Sequence, residues 1–451
     1  MVKEKRLLQD QWSSKLGFIL AATGAAVGLG NIWRFPYMAG THGGSAFVLL
    51  YVVFVLIIGI PIMLAEFLIG RHARQDPVDA LRDTAVENHH SRHWGLLGWW
   101  GALGLVLVLS FYSVVSGWSI AYIFKSISGS FNNLDPNAIH TVWQQFLANP
   151  WQLLLWHTVF MILTMGVIIA GVQQGLERST KLMMPALYII LFSLVIYACD
   201  VGHCREAFRF LFKFDHDKIT GSVVIAALGH AFFTLALGAG ALLTYGAYIP
   251  RKVKLVNSVF IIVGLDVLVA VLSGMAIFPL VFAYHLPPTA GPGLMFETLP
   301  ISFAHMHLGG LIGALFFLLL LFAAWTSSIN IAEPLIVILM NRLTLSRAKS
   351  VVIVGSIAWV LGIGSLLSFN VWQNVRLFSN DTVFDIATNL PTNILLPLGG
   401  LGFAIFAGWV MSRHLTEFEL STYPKVYSIW RCLIRYIAPM GVICIFVSAY
   451  L

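Results

Sequence analysis

The stretch "GAAVGLGNIWRFPY", residues 24–37, decides how this chain is read. It lies in the first long apolar segment, where a helix built only to cross a bilayer would use Leu, Ile and Val. Instead it carries Gly24, Gly28 and Gly30, followed by Asn31, Arg34 and Pro36. Glycine in a helix interior costs about 1 kcal/mol relative to alanine, and proline about 3 kcal/mol. The segment therefore weakens its own helix. In lipid, backbone groups freed by a break are tolerated only where protein or a water-filled cavity satisfies them. The stretch predicts a broken membrane helix lining a cavity.

The rest of the chain agrees with a membrane setting. Its 451 residues are 58% hydrophobic and only 10% charged, whereas soluble domains carry about 25% charged residues. A span needs about 20 apolar residues, and such runs recur near 14–36, 44–70, 96–124, 151–171, 180–200, 222–249, 256–283, 309–341, 349–369, 381–410 and 428–450. The fold class is an all-α polytopic membrane protein, one transmembrane domain over 1–451. The opening "MVKEKRLLQDQWSS" is polar and mixed in charge, and the apolar run after it is too long for a cleavable signal. Residues 287–310, rich in proline and polar groups, read as a structured loop with a short helix.

The net charge of +7 invites a nucleic-acid reading, but the charges are placed otherwise. With the N-terminus in the cytoplasm, most of the 27 Lys and Arg fall in alternate connections, from Lys3, Lys5 and Arg6 to Arg431 and Arg435. That is the positive-inside pattern. It predicts a multi-pass protein of the cell membrane with its C-terminus outside. The four cysteines show no CxxC spacing and do not converge with histidines, so neither metal nor redox chemistry is indicated. Cys199 and Cys204 are close enough to pair outside, or to stay as two free thiols.

Span six repeats the anomaly of span one, in "FFTLALGAGALLTYG" at 232–246. The two broken spans are five apart. They hold matching places in two five-helix repeats, 14–200 and 222–410, with 428–450 as an extra span. An odd repeat length makes the halves inverted. Paired interrupted helices of this kind point to a transport site at the repeat interface, where unwound carbonyls suit a cation and helix N-termini suit an anionic group. Close helix packing is the simpler explanation of glycines in one span; two matched spans favour the site. No nucleophile–base pair or metal cluster suggests an enzyme.

At this point the residues resemble a known family. "GAAVGLGNIWRFPY", "GGSAFVLLY", "GIPIMLAEFLIGR", "FYSVVSGW", "GLERSTKLMMP", "AFFTLALGAGALLTYGAY" and "AAWTSSINIAEP" follow in order through spans one to eight. Together they resemble the neurotransmitter:sodium symporter family, in its eleven-span bacterial amino-acid form. The resemblance implies Na⁺ at two sites and no organic cofactor. The first site would use the Ala26 carbonyl, Asn31, Thr234 and Asp266; the second the carbonyls of Gly24, Val27 and Ala323 and the hydroxyls of Thr326 and Ser327. Hydroxyls on a helix otherwise bond their own backbone.

Asp266 stands in the apolar run "IIVGLDVLVAVLSG", where a carboxylate marks function. Many relatives have Asn there with a chloride beside it, so a fixed charge predicts chloride independence. Tyr51 and Thr234 of the chloride region are kept, while Ala270 lacks a hydroxyl. His230 replaces a usual glutamine. It is either a neutral hydrogen-bonding substitute or a proton-sensitive partner of Asp266, which would make transport vary between about pH 5.5 and 8.

The same resemblance places the substrate between spans one, three, six and eight. Its carboxylate would meet the first Na⁺, the Leu29 and Gly30 N–H groups and Tyr112; its ammonium the carbonyls of Ala26, Phe233 and Thr234. Ala25, Gly28, Val108, Ala236, Ala239, Ser327 and Ile331 complete the pocket. Gly28, where monoamine carriers have aspartate, leaves room for a carboxylate. The small Ala236 and Ala239 predict a roomy apolar pocket for Leu, Met, Phe, Tyr or Trp. Phe233, Arg34 and Tyr248 would form gates. The acid facing Arg34 is either Asp385 or missing, with Thr388 at the aligned position, and the inner pair falls on Gln9 and Asn341. Gly175 and Pro185 resemble a device that unwinds span five. The expected activity is Na⁺-coupled amino-acid symport. A non-transporting sensor of the same fold, or a carrier of another small amine or osmolyte, would share much of this pattern. Oligomeric state is not encoded in these motifs.

Overall fold

The computed structural model describes residues 8, 10–285, 294–377, 380–420 and 424–450. Its first helix, Lys15–Ala26, starts at Ser14, whose side chain accepts from the Gly17 N–H. The helix stops where Val27 turns to extended backbone, φ −71° and ψ 107°. A second helical segment, Gly30–Thr41, resumes at an angle of 52° to the first. Span one is thus broken at 27–29, inside the stretch that predicted it.

Span six breaks by a different device. Gly221–Thr234 and Ala241–Ala247 are helical, and Ala236, Gly238 and Gly240 between them have φ of 51°, 87° and 73°. Left-handed backbone suits glycine and strains alanine, so Ala236 sits there under tertiary constraint. At Gly238 a Cβ would lie 2.0 Å from the Leu396 carbonyl oxygen; only glycine lets span ten come so close. The freed Gly238 N–H donates to Glu66 Oε1 at 2.7 Å, so span two supplies a partner for the break.

Among the described residues eight further helices are long and apolar enough to cross a membrane: Ser45–Ala73, Arg92–Ile127, Pro150–Ile169, Val172–Val201, Leu255–Ala283, Gly309–Leu343, Arg347–Leu367 and Val383–Val410. They match spans two to five and seven to ten, and residues 424–450 are helical where an eleventh was expected. Among the described residues no strand occurs. Apolar side chains such as Leu182 and Ile196, 74% and 71% exposed, face outward, as a lipid-facing surface requires. Of the proline-rich segment, 287–293 lies outside the described residues, and Leu299–Ala304 forms the short helix. Cys199 and Cys204 form a disulfide, the pairing that their spacing left open.

Spans three and eight pack along the centre, with span one's break between them. Trp12 fills the end of the bundle below that break, against Phe18, Tyr245 and Tyr248, its indole N–H donating to the Tyr245 carbonyl.

Candidate functional site

Three groups of residues converge on the two breaks. The first surrounds Asp266, which is fully buried. Its carboxylate accepts from Asn31 Nδ2 at 2.7 Å, Tyr51 OH at 3.2 Å and Thr234 Oγ1 at 3.3 Å. Asn31 also closes its own break, its Oδ1 accepting from the Gly28 N–H at 3.0 Å. Polar groups from spans one, two and six therefore meet around one carboxylate of span seven, with Asn31 presenting its amide nitrogen and Tyr51 and Thr234 their hydroxyls. A hard cation takes oxygen ligands, and this set fits sodium. His230 does not join it: both ring nitrogens lack partners, and the ring packs among Phe35, Phe47 and Tyr51. Neither alternative, a hydrogen-bonding substitute for glutamine or a partner of Asp266, is formed here, because the aromatic rings of spans one and two enclose the imidazole.

The second group lies between spans one and eight. Ser327 Oγ donates to the Gly24 and Val27 carbonyls at 3.2 and 3.1 Å. Thr326 Oγ1 donates to the Ala323 carbonyl at 3.1 Å, one turn earlier in its own helix. A Cβ on Gly24 would be 3.0 Å from Thr326 Cβ. All five groups expected of the second cation site are therefore together. Thr326 also shows the back-bonding to its own helix that competes with ligation. Met184 Sδ is close by, 3.2 Å from that Gly24 Cβ position.

The third group is a cavity of about 60 Å³ lined by every expected substrate residue except Leu29: Ala25, Ala26, Gly28, Gly30, Val108, Tyr112, Phe233, Thr234, Ala236, Ala239, Ser327 and Ile331. Leu29 instead lines the vestibule above, yet its N–H donates to Tyr112 OH at 3.0 Å. The cavity is apolar as expected, but it is not roomy. Leu105 and Leu396, which the sequence reading missed, line it too. Asn330 was also missed: nothing in "SSINIAEP" separates a pocket-facing amide from one facing another helix.

Phe233 lines both this cavity and the vestibule of about 290 Å³. Arg34 stacks on its ring, 4.4 Å from the centroid. Asp385 does not meet Arg34: it caps its own helix, exchanging hydrogen bonds with Thr382, while Thr388 borders the vestibule. Among the described residues Arg34 has no ion-pair partner; the ring of Phe233 takes that place.

The opposite end is closed by charge. Tyr248 OH donates to Glu333 Oε1 at 2.8 Å, and the same carboxylate pairs with Arg347. Glu333 is fully buried. Asn341 donates to Asp76 Oδ2 at 2.9 Å; Gln9 lies outside the described residues. Burial, with Asp79 adding to it, raises the Asp76 carboxyl above its ordinary range. Glu177 joins Ser13 and Lys181, tying the chain's start to span five. Gly175 lies in a π-turn at 172–177, and Pro185 lies within the continuous helix that follows, so span five is wound here. Glu66, Glu177 and Glu333 were not singled out from sequence; Glu177 reads as a helix-end acid, while Glu66 and Glu333 stand inside spans two and eight and could have been flagged as Asp266 was.

Glu333→Gln would leave the Arg347 guanidinium buried without its counter-charge, and breaking such a pair costs about 3–5 kcal/mol. The expected result is faster hydrogen exchange over residues 10–20, by tenfold or more. Unchanged exchange would show that the pair does not hold this end shut.

Known proteins with this architecture can now be compared. The model of the sodium:neurotransmitter symporter family matches residues 9–145 and 137–451. The uncharacterised sodium-dependent transporter YhdH of Bacillus subtilis is 36% identical over 442 residues, 97% of each chain. An uncharacterised sodium-dependent transporter of Haemophilus influenzae is 36% identical over 451 residues, 98% of each. The crystal structure of MhsT in complex with L-phenylalanine superposes with a TM-score of 0.91 at 40% identity, covering 98% of this chain and 100% of that one. These are transporters and not enzymes, and the broken spans with their oxygen-lined clusters are the parts such a protein needs. The chain belongs to the sodium:neurotransmitter symporter family.

Proposed function

We propose that this sodium-dependent symporter imports a hydrophobic L-amino acid of the Leu, Met, Phe, Tyr or Trp class, driven by two Na⁺ and without need of chloride. The observation that carries the reading is the apolar cavity set directly between two oxygen clusters at the broken helices. The L-phenylalanine bound by MhsT supports the substrate class. At the first cluster the substrate carboxylate completes the ligand shell beside Asn31 and Thr234, reached by the Gly30 N–H and Tyr112. At the second, Gly24, Val27, Ala323, Thr326 and Ser327 hold the other Na⁺. Asp266 supplies the negative charge that chloride would otherwise bring.

Alternating access follows from differential affinity. Na⁺ between spans one and eight favours the form with its Trp12 end closed; substrate under Phe233 permits occlusion. Leu105 and Leu396 make room as the unwound 235–240 segment adjusts. Release requires Glu333, Arg347 and Tyr248 to separate and span five to unwind between Gly175 and Pro185. The five-span halves 14–200 and 222–410 act as inverted repeats, with the N-terminus cytoplasmic and the C-terminus outside.

The test is uptake of radiolabelled leucine and tryptophan by proteoliposomes under inward Na⁺ or K⁺ gradients, with gluconate replacing chloride. Accumulation driven by Na⁺ alone is expected. Saturable Na⁺-dependent binding without accumulation would make the protein a sensor. No response to either amino acid would sink the substrate class.

A further inference from the structure

The connection between spans five and six carries a charge pattern that transport does not use. It lies at the end of the bundle away from Trp12, since span five begins beside Ser13 at Glu177 and finishes at Val201. Basic residues are otherwise scarce at that end. The other stretches there, 37–44, 125–150, 284–308 and 370–382, hold only Lys125 and Arg376, whereas this connection holds Arg205, Arg209, Lys213 and Lys218. Three of these four stand on the helix Cys204–Phe212 or cap its end. At 3.6 residues per turn, Phe208, Phe212, Arg205, Arg209 and Lys213 share an arc of about 140°. All five are exposed, Phe208 by 56% and Phe212 by 42%, and the two rings pack on each other with centroids 4.7 Å apart.

The opposite face, Ala207 and Leu211, is buried, and the helix is fixed to the body of the protein. Cys204 is bonded to Cys199 of span five, Phe210 packs on Phe278 of span seven at 4.8 Å, and Ser45 Oγ donates to the Lys213 carbonyl at 2.7 Å. The acids nearby are taken elsewhere: Glu206 pairs with His203, Asp215 with Lys218 and Asp217 with His216. Among the described residues Arg205, Arg209 and Lys213 have no ion-pair partner. Phenyl rings beside unpaired cations are the composition of a helix lying in a bilayer interface, with rings among the upper acyl chains and cations at the phosphates. The outward side of span five leads up to this helix with Ile189, Ile196 and Val201, all exposed, so the lipid-facing apolar surface reaches its start.

We propose that the helix Cys204–Phe212 is a binding site for anionic phospholipids of the leaflet opposite the Trp12 end, with Phe208 and Phe212 among the acyl chains and Arg205, Arg209 and Lys213 on the phosphates. A zwitterionic headgroup fits less well, because its own ammonium offsets the phosphate. The site is separate from the substrate cavity and does not depend on which amino acid is carried.

The experiment is hydrogen exchange of residues 204–214 in the full chain, in nanodiscs of pure phosphatidylcholine or of an equal mixture with phosphatidylglycerol. The anionic discs are expected to slow exchange by about tenfold, since each Lys or Arg near an anionic surface adds attraction, and high salt should remove the difference. The triple variant Arg205→Gln, Arg209→Gln, Lys213→Gln should exchange alike in both lipids, and Phe208→Ser with Phe212→Ser should exchange faster in both. Equal exchange of the native chain in the two lipids would overturn the proposal. Dissolved glycerophosphoglycerol slowing exchange as much as the lipid would also overturn it, by revealing a site for a free anion. So would protection that appears only when two copies share a disc, the mark of a contact between chains. Exchange over Leu255–Ala283 reports folding; if the triple variant raises it, Arg209→Gln alone and the native comparison decide.

Discussion

Asp266→Asn is expected to reduce Na⁺-driven uptake in chloride-free medium by two to three orders of magnitude. Asp266 is buried, and three donors from other spans hold its carboxylate beside the first oxygen cluster. Removing one member of a buried charge pair costs about 2–5 kcal/mol, and 1.4 kcal/mol corresponds to about tenfold in an equilibrium constant. The amide keeps the size of the side chain and its contact with Tyr51, so the loss falls on the cation and not on packing. Two measurements separate the charge effect from misfolding. Thermal unfolding without Na⁺ should change little. Chloride should return part of the uptake, because the missing negative charge can then be supplied from solution. Chloride-independent uptake at the native level in Asp266→Asn would show that this charge is not used.

Gly28→Ala is expected to lower transport efficiency about a hundredfold, and it should impair substrate and Na⁺ together. A Cβ there would lie 2.6 Å from Ser327 Oγ and 2.8 Å from Tyr112 OH. Neither distance is tolerable, so both side chains must turn away. Ser327 then leaves the Gly24 and Val27 carbonyls, and Tyr112 leaves the Leu29 N–H. Displacing a positioning group by about 1 Å can cost a hundredfold. Equilibrium binding of leucine across a Na⁺ titration checks this: the half-saturating Na⁺ should rise along with the leucine Kd. A rise in the leucine Kd alone would mean that Ser327 does not hold a cation.

Both predictions rest on positions that the sequence already marked, and the reason is physical. Glycines in the middle of a membrane helix, and a carboxylate in an apolar run, are expensive in lipid. Each stands out against its local background whatever surrounds it. The break in span one, the break in span six and Asp266 were therefore legible from residue type and spacing, as were the helical class and the membrane setting; the Thr326–Ser327 pair was marked only by the family resemblance.

The features that sequence did not reveal depend on which helix faces which. His230 could have met Asp266; the packing of Phe35, Phe47 and Tyr51 encloses it instead. Asp385 could have met Arg34, but its own helix start takes it first through Thr382. The partners of Glu66, Glu177 and Glu333 are not written in their local sequence: Gly238, Ser13 and Tyr248 reach them from distant parts of the chain. The alanines at 236 and 239 suggested a wide pocket, which Leu105 and Leu396 narrow from other helices. Asn330 belongs with these. The sequence by itself determined a membrane-spanning helical chain and where its helices break, because those choices carry a local energetic cost. Tertiary structure alone decided the shape of the cavity and the partners that close its two ends, because side-chain partnership across helices depends on three-dimensional register that no local pattern records.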